Sequence, residues 1–484
     1  MSVGVGLTHA ATPLLIELDH SLIRTDLFME TALAYVVANP WRLFFLPVRA
    51  LGGRAEFEKK LAEDSEPDLE LIPLNEKVVE LALDAKRQGR QVFLVTARDQ
   101  FLAQKIATHF RFIDGFISSE SIANPRNDGN ATLVRERLIR GYDYVCNNAA
   151  NLPALRNAGA IIAVAPSKPT LRTIRALDKP TTVIEGKSRL HALFDAARLH
   201  QWAKNTLIFV PAVLSGQIID PATLVRCAIA FLALGLIALG SYLVNDLIDI
   251  NNDRRHWTKR FRPIAAGDLP IGMAILAAAG SILAGIAIGA SGGSGVLATL
   301  VAYLVLTLVY SICLKNLPIL DVTVLAVLFT LRLAIGIAAA EVFASPWLLV
   351  FSMAIFSSLS IAKRYTEIQR TAAKGDTDVP GRGYITADAP LVLGLGLATG
   401  TASVLILVIF LIFDAFERDI YGNSNWLWLS PVIVFLWIGR IWLICQRGEL
   451  NDDPVVFALK DLQSVILGTL LVVTFGLAWL GAPL

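Results

Sequence analysis

Charge is scarce in this chain: Asp, Glu, Lys and Arg make up 17% of its 484 residues, while 55% are hydrophobic. With a mean hydropathy of +0.57, the chain is too apolar for a water-soluble protein of this size. Its charges also nearly cancel, at a formal net charge of +2, so there is no overall electrostatic case for nucleic acid. Cysteine is rarer still. The four (Cys146, Cys227, Cys313 and Cys445) share no metal or redox spacing, and three lie in or beside apolar runs. No disulfide framework is implied. The N-terminus lacks a basic segment followed by an apolar signal core, so the first domain is expected to stay cytoplasmic.

The apolar excess is uneven. Short β-rich runs at 14–19, 91–96, 142–147 and 160–165 alternate with helical stretches such as 75–88 and 131–139. That alternation predicts a doubly wound parallel sheet. Residues 27–72 read as an inserted cap, and 166–195, with Pro166, Pro169 and Pro180 among charges, as a linker. Beyond residue 196 nine apolar spans of bilayer length follow, near 204–219, 222–245, 270–290, 295–313, 318–340, 346–362, 391–413, 427–445 and 462–481. If residue 200 is cytoplasmic, the inner loops carry Arg254, Arg255, Lys259, Arg260, Arg262, Lys315, Lys363, Arg364, Arg370, Lys374, Arg382, Arg447 and Lys460. The outer loops then carry little beyond Arg418. The positive-inside bias supports both the span count and the orientation. The expected architecture is therefore multidomain: an N-terminal α/β Rossmann-like domain (1–165), a linker (166–195) and an all-α polytopic membrane domain (196–484).

One stretch carries chemistry: Asn245-Asp-Leu-Ile-Asp249-Ile-Asn-Asn-Asp253, running on to Lys259-Arg260-Phe-Arg262-Pro-Ile-Ala-Ala-Gly267. Asn245, Asp249 and Asp253 are spaced four apart and stack on one helical face. Carboxylates at the end of an apolar span are costly without a ligand. Followed by Lys and Arg, they suit a diphosphate bridged by Mg²⁺: oxygen ligands hold the hard metal and cations neutralise the remaining phosphate charge. Basic residues flanking a span are usually anchors, and Lys204, Lys315 and Arg370 taken singly read that way. Arg332 within a span is a functional candidate that Asp321 or Glu341 would otherwise satisfy. His256 has no partner at ligand spacing. The glycines at 280–295 mark close helix packing and a turn rather than a phosphate loop.

The 245–267 stretch closely resembles the first aspartate-rich motif of the UbiA-type intramembrane prenyltransferase superfamily, and its basic tail looks most like the decaprenyl-phosphate phosphoribosyltransferase branch. Arg198-Leu-His-Gln-Trp-Ala-Lys204-Asn205, Tyr310-Ser-Ile-Cys-Leu-Lys315-Asn-Leu-Pro-Ile-Leu-Asp321 and Ala362-Lys363-Arg364-Tyr-Thr-Glu367 extend the resemblance across nearly all of 198–484. Prenyl-diphosphate users of the superfamily usually carry a second aspartate-rich motif where Lys363, Arg364 and a single Glu367 stand here. The resemblance thus implies phosphoribosyl diphosphate as donor and a polyprenyl phosphate lipid as acceptor, in a bacterial cytoplasmic (inner) membrane, feeding arabinose donors for a glycoconjugate. Mg²⁺ would sit on Asn245, Asp246, Asp249 and Asp253, the first, third and fourth also counted as catalytic. Lys204, Asn205, Lys259, Arg260, Arg262, Lys315, Lys363 and Arg364 are the substrate-binding candidates. Prenyl transfer from a polyprenyl diphosphate to an aromatic acceptor is the alternative, and a transporter or scaffold a third reading. Lipid length and oligomeric state, a homo-oligomer included, stay open.

The N-terminal run Leu14-Leu-Ile-Glu17-Leu-Asp19 resembles the first motif of the haloacid dehalogenase superfamily, Thr96 the second, and Asn147-Asn-Ala-Ala-Asn151 falls where its acidic metal motif would lie. Glu17 replaces the nucleophilic Asp, Asn147 and Asn151 replace carboxylates, and the lysine expected near 127–130 is not evident. The resemblance therefore implies a haloacid dehalogenase-like domain without catalysis.

Overall fold

The computed structural model describes residues 12–45, 60–61, 63–65, 67–96, 106, 108–118, 141–379, 381–417, 420–450 and 454–483. The helix expected at 131–139 and the 127–130 segment lie outside them.

The chain opens with β1 (Leu14–Glu17), α1 (Leu27–Ala38), α2 (Glu76–Arg87), β2 (Val92–Thr96), β3 (Gly115–Ser118), β4 (Asp143–Cys146), α3 (Leu152–Asn157), β5 (Ala160–Val164), α4 (Lys168–Arg175), β6 (Thr181–Ile184) and α5 (Arg189–Ala196). All six strands are parallel, in the order β3-β2-β1-β4-β5-β6. Alternate strand residues supply the two faces. Leu14, Ile16, Leu94 and Val145 join Val78 and Ala82 of α2 on one side, while Leu15, Val95, Tyr144 and Ile161 join Leu155 and Ile174 on the other. Burial on both faces is what makes these strands near-continuous hydrophobic runs. The order reverses between β1 and β4, so their C-terminal ends flank the switch point where such sheets form a crevice.

The stretch read as a linker, 166–195, instead holds α4, the edge strand β6 and α5. Its prolines do not break structure: Pro169 lies in the first turn of α4, where no helical N–H bond is lost, and Ser167 caps that turn by accepting from Thr170 N.

Next come α6 (Val210–Leu214), α7 (Pro221–Ile248), α8 (Ile250–Arg255), α9 (Ile271–Ala290), α10 (Ser294–Ile312), α11 (Leu320–Ala340), α12 (Pro346–Ala373), α13 (Ala389–Phe410), α14 (Leu429–Gln446), α15 (Pro454–Lys460) and α16 (Leu462–Leu480). Among the described residues eight helices are long and apolar enough to cross a membrane. The ninth expected span, 204–219, is not one. It is a 3-10 run, Leu199–Phe209, then the short α6, and it turns at Gly216, whose φ is +71°. Its apolar residues are used otherwise: Ile208 and Ala212 sit in a core with Ala233, Leu234 and Ile335. A Cβ on Gly336 would lie 2.1 Å from the Ile208 carbonyl oxygen. Close approach also explains Gly285, whose Cβ would meet Ile237 at 2.7 Å, and Gly293 turns with φ +94°.

The chain divides into two compact units. The sheet unit joins Met1–Ala196 with Asp246–Leu276, and the helical unit joins Ala197–Asn245 with Ala277–Leu484.

Candidate active site

In the sheet unit the aspartate-rich stretch forms the last turn of α7, a joint at Asp249 (φ −90°, ψ 8°) and α8. The carboxylates that meet are Asp246 and Asp253, seven residues apart across the joint at Asp249. Arg262 joins them: its Nη1 donates to Asp246 Oδ1 at 3.1 Å and to Asp253 Oδ2 at 2.6 Å. Both carboxylate side chains are only 3% exposed. Burial pushes the Asp253 carboxyl above the ordinary aspartate range, and the Arg262 guanidinium pulls against it. Asn245 falls in the helical unit. Lys259 and Arg260 are exposed on the loop, Arg260 lying over the Phe261 ring. His256 is a turn residue, its Nδ1 accepting from Thr258 N and Lys259 N.

Among the described residues no three His, Cys, Asp or Glu side chains converge into a ready metal cage. The Asp246–Asp253 pair still fits Mg²⁺. That ion is commonly held by one or two carboxylates, with substrate phosphates and waters filling the rest. Arg262 is the cation these two carboxylates share in this structure.

The helical unit has its own charged cluster. Arg364 on α12 is 1% exposed, with Nη2 2.8 Å from Asp321 Oδ2 on α11 and Nη1 on Glu367. Tyr384 donates to Asp321 Oδ1 at 2.7 Å and accepts from Ile319 N. Arg332, mid-span and buried, was a functional candidate from sequence, and its hydrogen-bond partners are neither Asp321 nor Glu341, the structural alternatives. It donates to Asn205 Oδ1 at 3.1 Å, to the Leu328 carbonyl and to the Tyr303 hydroxyl. Lys204 Nζ lies 5.6 Å from the centre of the Phe329 ring, and the Lys315 carbonyl accepts from Arg382. Lys363 is half-buried.

The UbiA prenyltransferase family matches residues 206–465. The chain belongs to this family. A protein of Sinorhizobium fredii, y4nM, is 35% identical over 474 residues, covering 96% of this chain and 91% of its own. The decaprenyl-phosphate phosphoribosyltransferase of Corynebacterium glutamicum is 38% identical over 197 residues, 39% of this chain and 59% of that one. That of Mycobacterium tuberculosis is 31% identical over 301 residues, 58% of this chain and 92% of that one. This UbiA-family chain is a membrane-embedded transferase.

At the sheet's switch point the residues expected from sequence are engaged in the fold. Glu17 accepts from the Tyr144 hydroxyl at 2.9 Å and from Asn147 N at 3.4 Å. Asn147 Nδ2 donates to the Val164 carbonyl, Asn151 caps α3 by accepting from Ala154 N, and Asp19 accepts from Leu27 N. Burial pushes the Glu17 carboxyl up to about 7, with the Tyr144 and Asn147 bonds opposing. Because the folded value exceeds the unfolded one, the folded unit holds the proton more tightly. Its stability therefore declines as pH rises from about 4.5 through 7 and levels above that, by an amount on the order of 3 kcal/mol. Glu17→Gln is expected to raise the unfolding temperature of the sheet unit at pH 8 and to change it little at pH 4.5. Proteolytic nicking of the full chain on a heating ramp reads this, and equal shifts at both pH values would reject it.

Proposed function

We propose that the chain transfers 5-phosphoribose from phosphoribosyl diphosphate to a polyprenyl phosphate, releasing diphosphate. The observation that carries this reading is the Asp246–Arg262–Asp253 constellation, a buried carboxylate pair already sharing a cation, with Lys259 and Arg260 on the same loop. The absence of a second aspartate cluster from 363–367 supports it further, as do the names of two relatives.

In this mechanism Asp246 and Asp253 would hold Mg²⁺, with Asp249 and Asn245 as supporting candidates, and the ion when bound would neutralise charge on the leaving diphosphate. Lys259, Arg260 and Arg262 take donor phosphate oxygens, Arg262 exchanging its carboxylate partners for phosphate. Lys363 and Arg364 are assigned to the donor 5-phosphate or the acceptor phosphate, with Lys204, Asn205 and Lys315 as further candidates. Bond cleavage at the ribose anomeric carbon develops positive charge there, and the acceptor phosphate oxygen attacks from the opposite face. No general base is required, because a phosphate monoester is already anionic at neutral pH. The product serves an early step toward polyprenyl-phosphate arabinose, at the cytoplasmic face of a bacterial inner membrane. The sheet unit, on its resemblance to haloacid dehalogenases, is non-catalytic.

The test uses full-length protein in detergent with Mg²⁺, labelled phosphoribosyl diphosphate and a polyprenyl phosphate. Label entering the organic phase is the expected result. No label there, with turnover of a polyprenyl diphosphate and an aromatic acid, would replace this reading with prenyl transfer.

A further inference from the structure

The sheet unit does not end at residue 196: it takes in Asp246–Leu276, the segment that joins two apolar spans and carries Asp246, Asp253 and Arg262. The contacts responsible are specific. Arg254, the residue after Asp253, makes a two-pronged ion pair with Glu30 of α1, at 2.6 and 3.0 Å. The two side chains are 5% and 3% exposed. Arg254 Nε also donates to the Ala265 carbonyl, so one guanidinium ties α1 to both limbs of the loop. Asp268, 8% exposed, receives Arg24 Nη1 at 3.3 Å and Lys187 Nζ at 2.6 Å. Between these anchors Gly267 turns with φ +73°, and a Cβ there would stand 2.6 Å from Arg24 Cβ. Only glycine allows both the turn and that approach.

We infer that the sheet unit is a positioning clamp for the transferase loop: Glu30, Arg24 and Lys187 fix the segment that presents Asp253 and Arg262. The activity half of this inference rests on the phosphoribosyl-transfer reading, while the structural half does not. The segment's own backbone bonds are local, such as Arg262 N to the Lys259 carbonyl and Ala266 N to the Arg262 carbonyl, so they shape its turns without fixing the whole segment in place, and a displacement near 1 Å can cost about a hundredfold in rate. The anchors bracket the site closely: Arg254 adjoins Asp253, and the Ala265 carbonyl lies three residues beyond Arg262. Nor is the clamp part of the shared chemistry. The Mycobacterium tuberculosis relative is 92% covered by 58% of this chain, so most of the remaining 42% has no counterpart there. The Sinorhizobium fredii relative, by contrast, is matched across 96% of this chain. The insertion between β1 and β2, read as a cap from sequence, thus serves a partner segment of its own chain.

The test compares wild type, Glu30→Gln, Asp268→Asn and the double variant as full-length protein in detergent. Amide exchange of peptides over 246–268 is read beside the KM for phosphoribosyl diphosphate and for polyprenyl phosphate. The expected result is exchange at least tenfold faster in 250–266 of the Glu30→Gln variant, unchanged exchange in the strands, and a donor KM raised about tenfold with acceptor KM unmoved. Asp268→Asn leaves α1 intact and should give a smaller effect of the same kind, which guards against a Glu30 variant that misfolds. Unchanged loop exchange in the double variant would overturn the clamp outright. Faster exchange with an unmoved donor KM would overturn its positioning role. If wild type transfers no phosphoribose, the proposed function fails and loop exchange alone decides the clamp.

Discussion

Asp253→Asn is expected to lower kcat/KM for phosphoribosyl diphosphate by about 10²–10³ while leaving the protein folded. The substitution keeps the side-chain volume and a hydrogen-bond acceptor for Arg262, so packing in the last turn of α8 survives. What it removes is one of two buried negative charges facing a shared cation. With one of the two buried carboxylates gone, the Mg²⁺ concentration giving half-maximal rate should rise roughly tenfold or more, because the protein offers the ion less negative charge. Arg262→Gln should act differently. It leaves Asp246 and Asp253 facing each other without their guanidinium, so carboxylate repulsion makes the apo protein less stable and more responsive to added Mg²⁺. Steady-state rates over a Mg²⁺ series, with melting of each variant with and without the metal, separate the two. A wild-type rate and metal dependence in Asp253→Asn would remove this residue from the site.

Much of this was readable from the residues, and the limits have physical causes. The runs at 14–19, 91–96, 142–147 and 160–165 contain β1, β2, β4 and β5 to within two residues, because strands buried on both faces are nearly all apolar. The strands β3 and β6 were not legible: Gly115-Phe-Ile-Ser and Thr181-Thr-Val-Ile are short, lie toward or at the sheet's edges, and the second sits among prolines. Span 204–219 failed because length and apolarity do not distinguish a crossing helix from irregular backbone packed inside a bundle. The aspartate-rich stretch was evident, but helical spacing alone favoured Asn245, Asp249 and Asp253. The joint at Asp249 and the returning Arg262 instead bring Asp246 and Asp253 together. Tyr384 meets Asp321 across 63 residues and Arg254 meets Glu30 across 224, pairings no local pattern encodes. A signal did exist for the second: Glu30 is the one charged residue of α1, Leu-Phe-Met-Glu-Thr-Ala-Leu-Ala-Tyr-Val-Val-Ala, and a buried acid needs a partner.

Arg364→Ala is expected to destabilise the helical unit by about 3–5 kcal/mol, more than any other single truncation of its charged residues. Arg364 is 1% exposed and Asp321 fully buried, and removing the guanidinium takes an ion-pair partner from both Asp321 and Glu367, leaving Asp321 with the Tyr384 hydroxyl and Glu367 with the attraction of Lys363 and Arg382. Asp321→Ala should cost less, because Arg364 keeps Glu367. The midpoint of thermal unfolding in detergent should fall by an amount on the order of 10 °C for Arg364→Ala. Pairing Arg364→Met with Asp321→Asn and Glu367→Gln should recover much of the loss, since an uncharged trio leaves no buried charge uncompensated. The same series tests the phosphate role assigned to Arg364. Its guanidinium already faces two carboxylates, so binding phosphate requires it to leave one of them. If it does, the neutral trio melts near wild type yet shows a KM raised about tenfold for one substrate. A neutral trio with both wild-type stability and wild-type KM values would confine Arg364 to the fold and pass the phosphate assignment to Lys363.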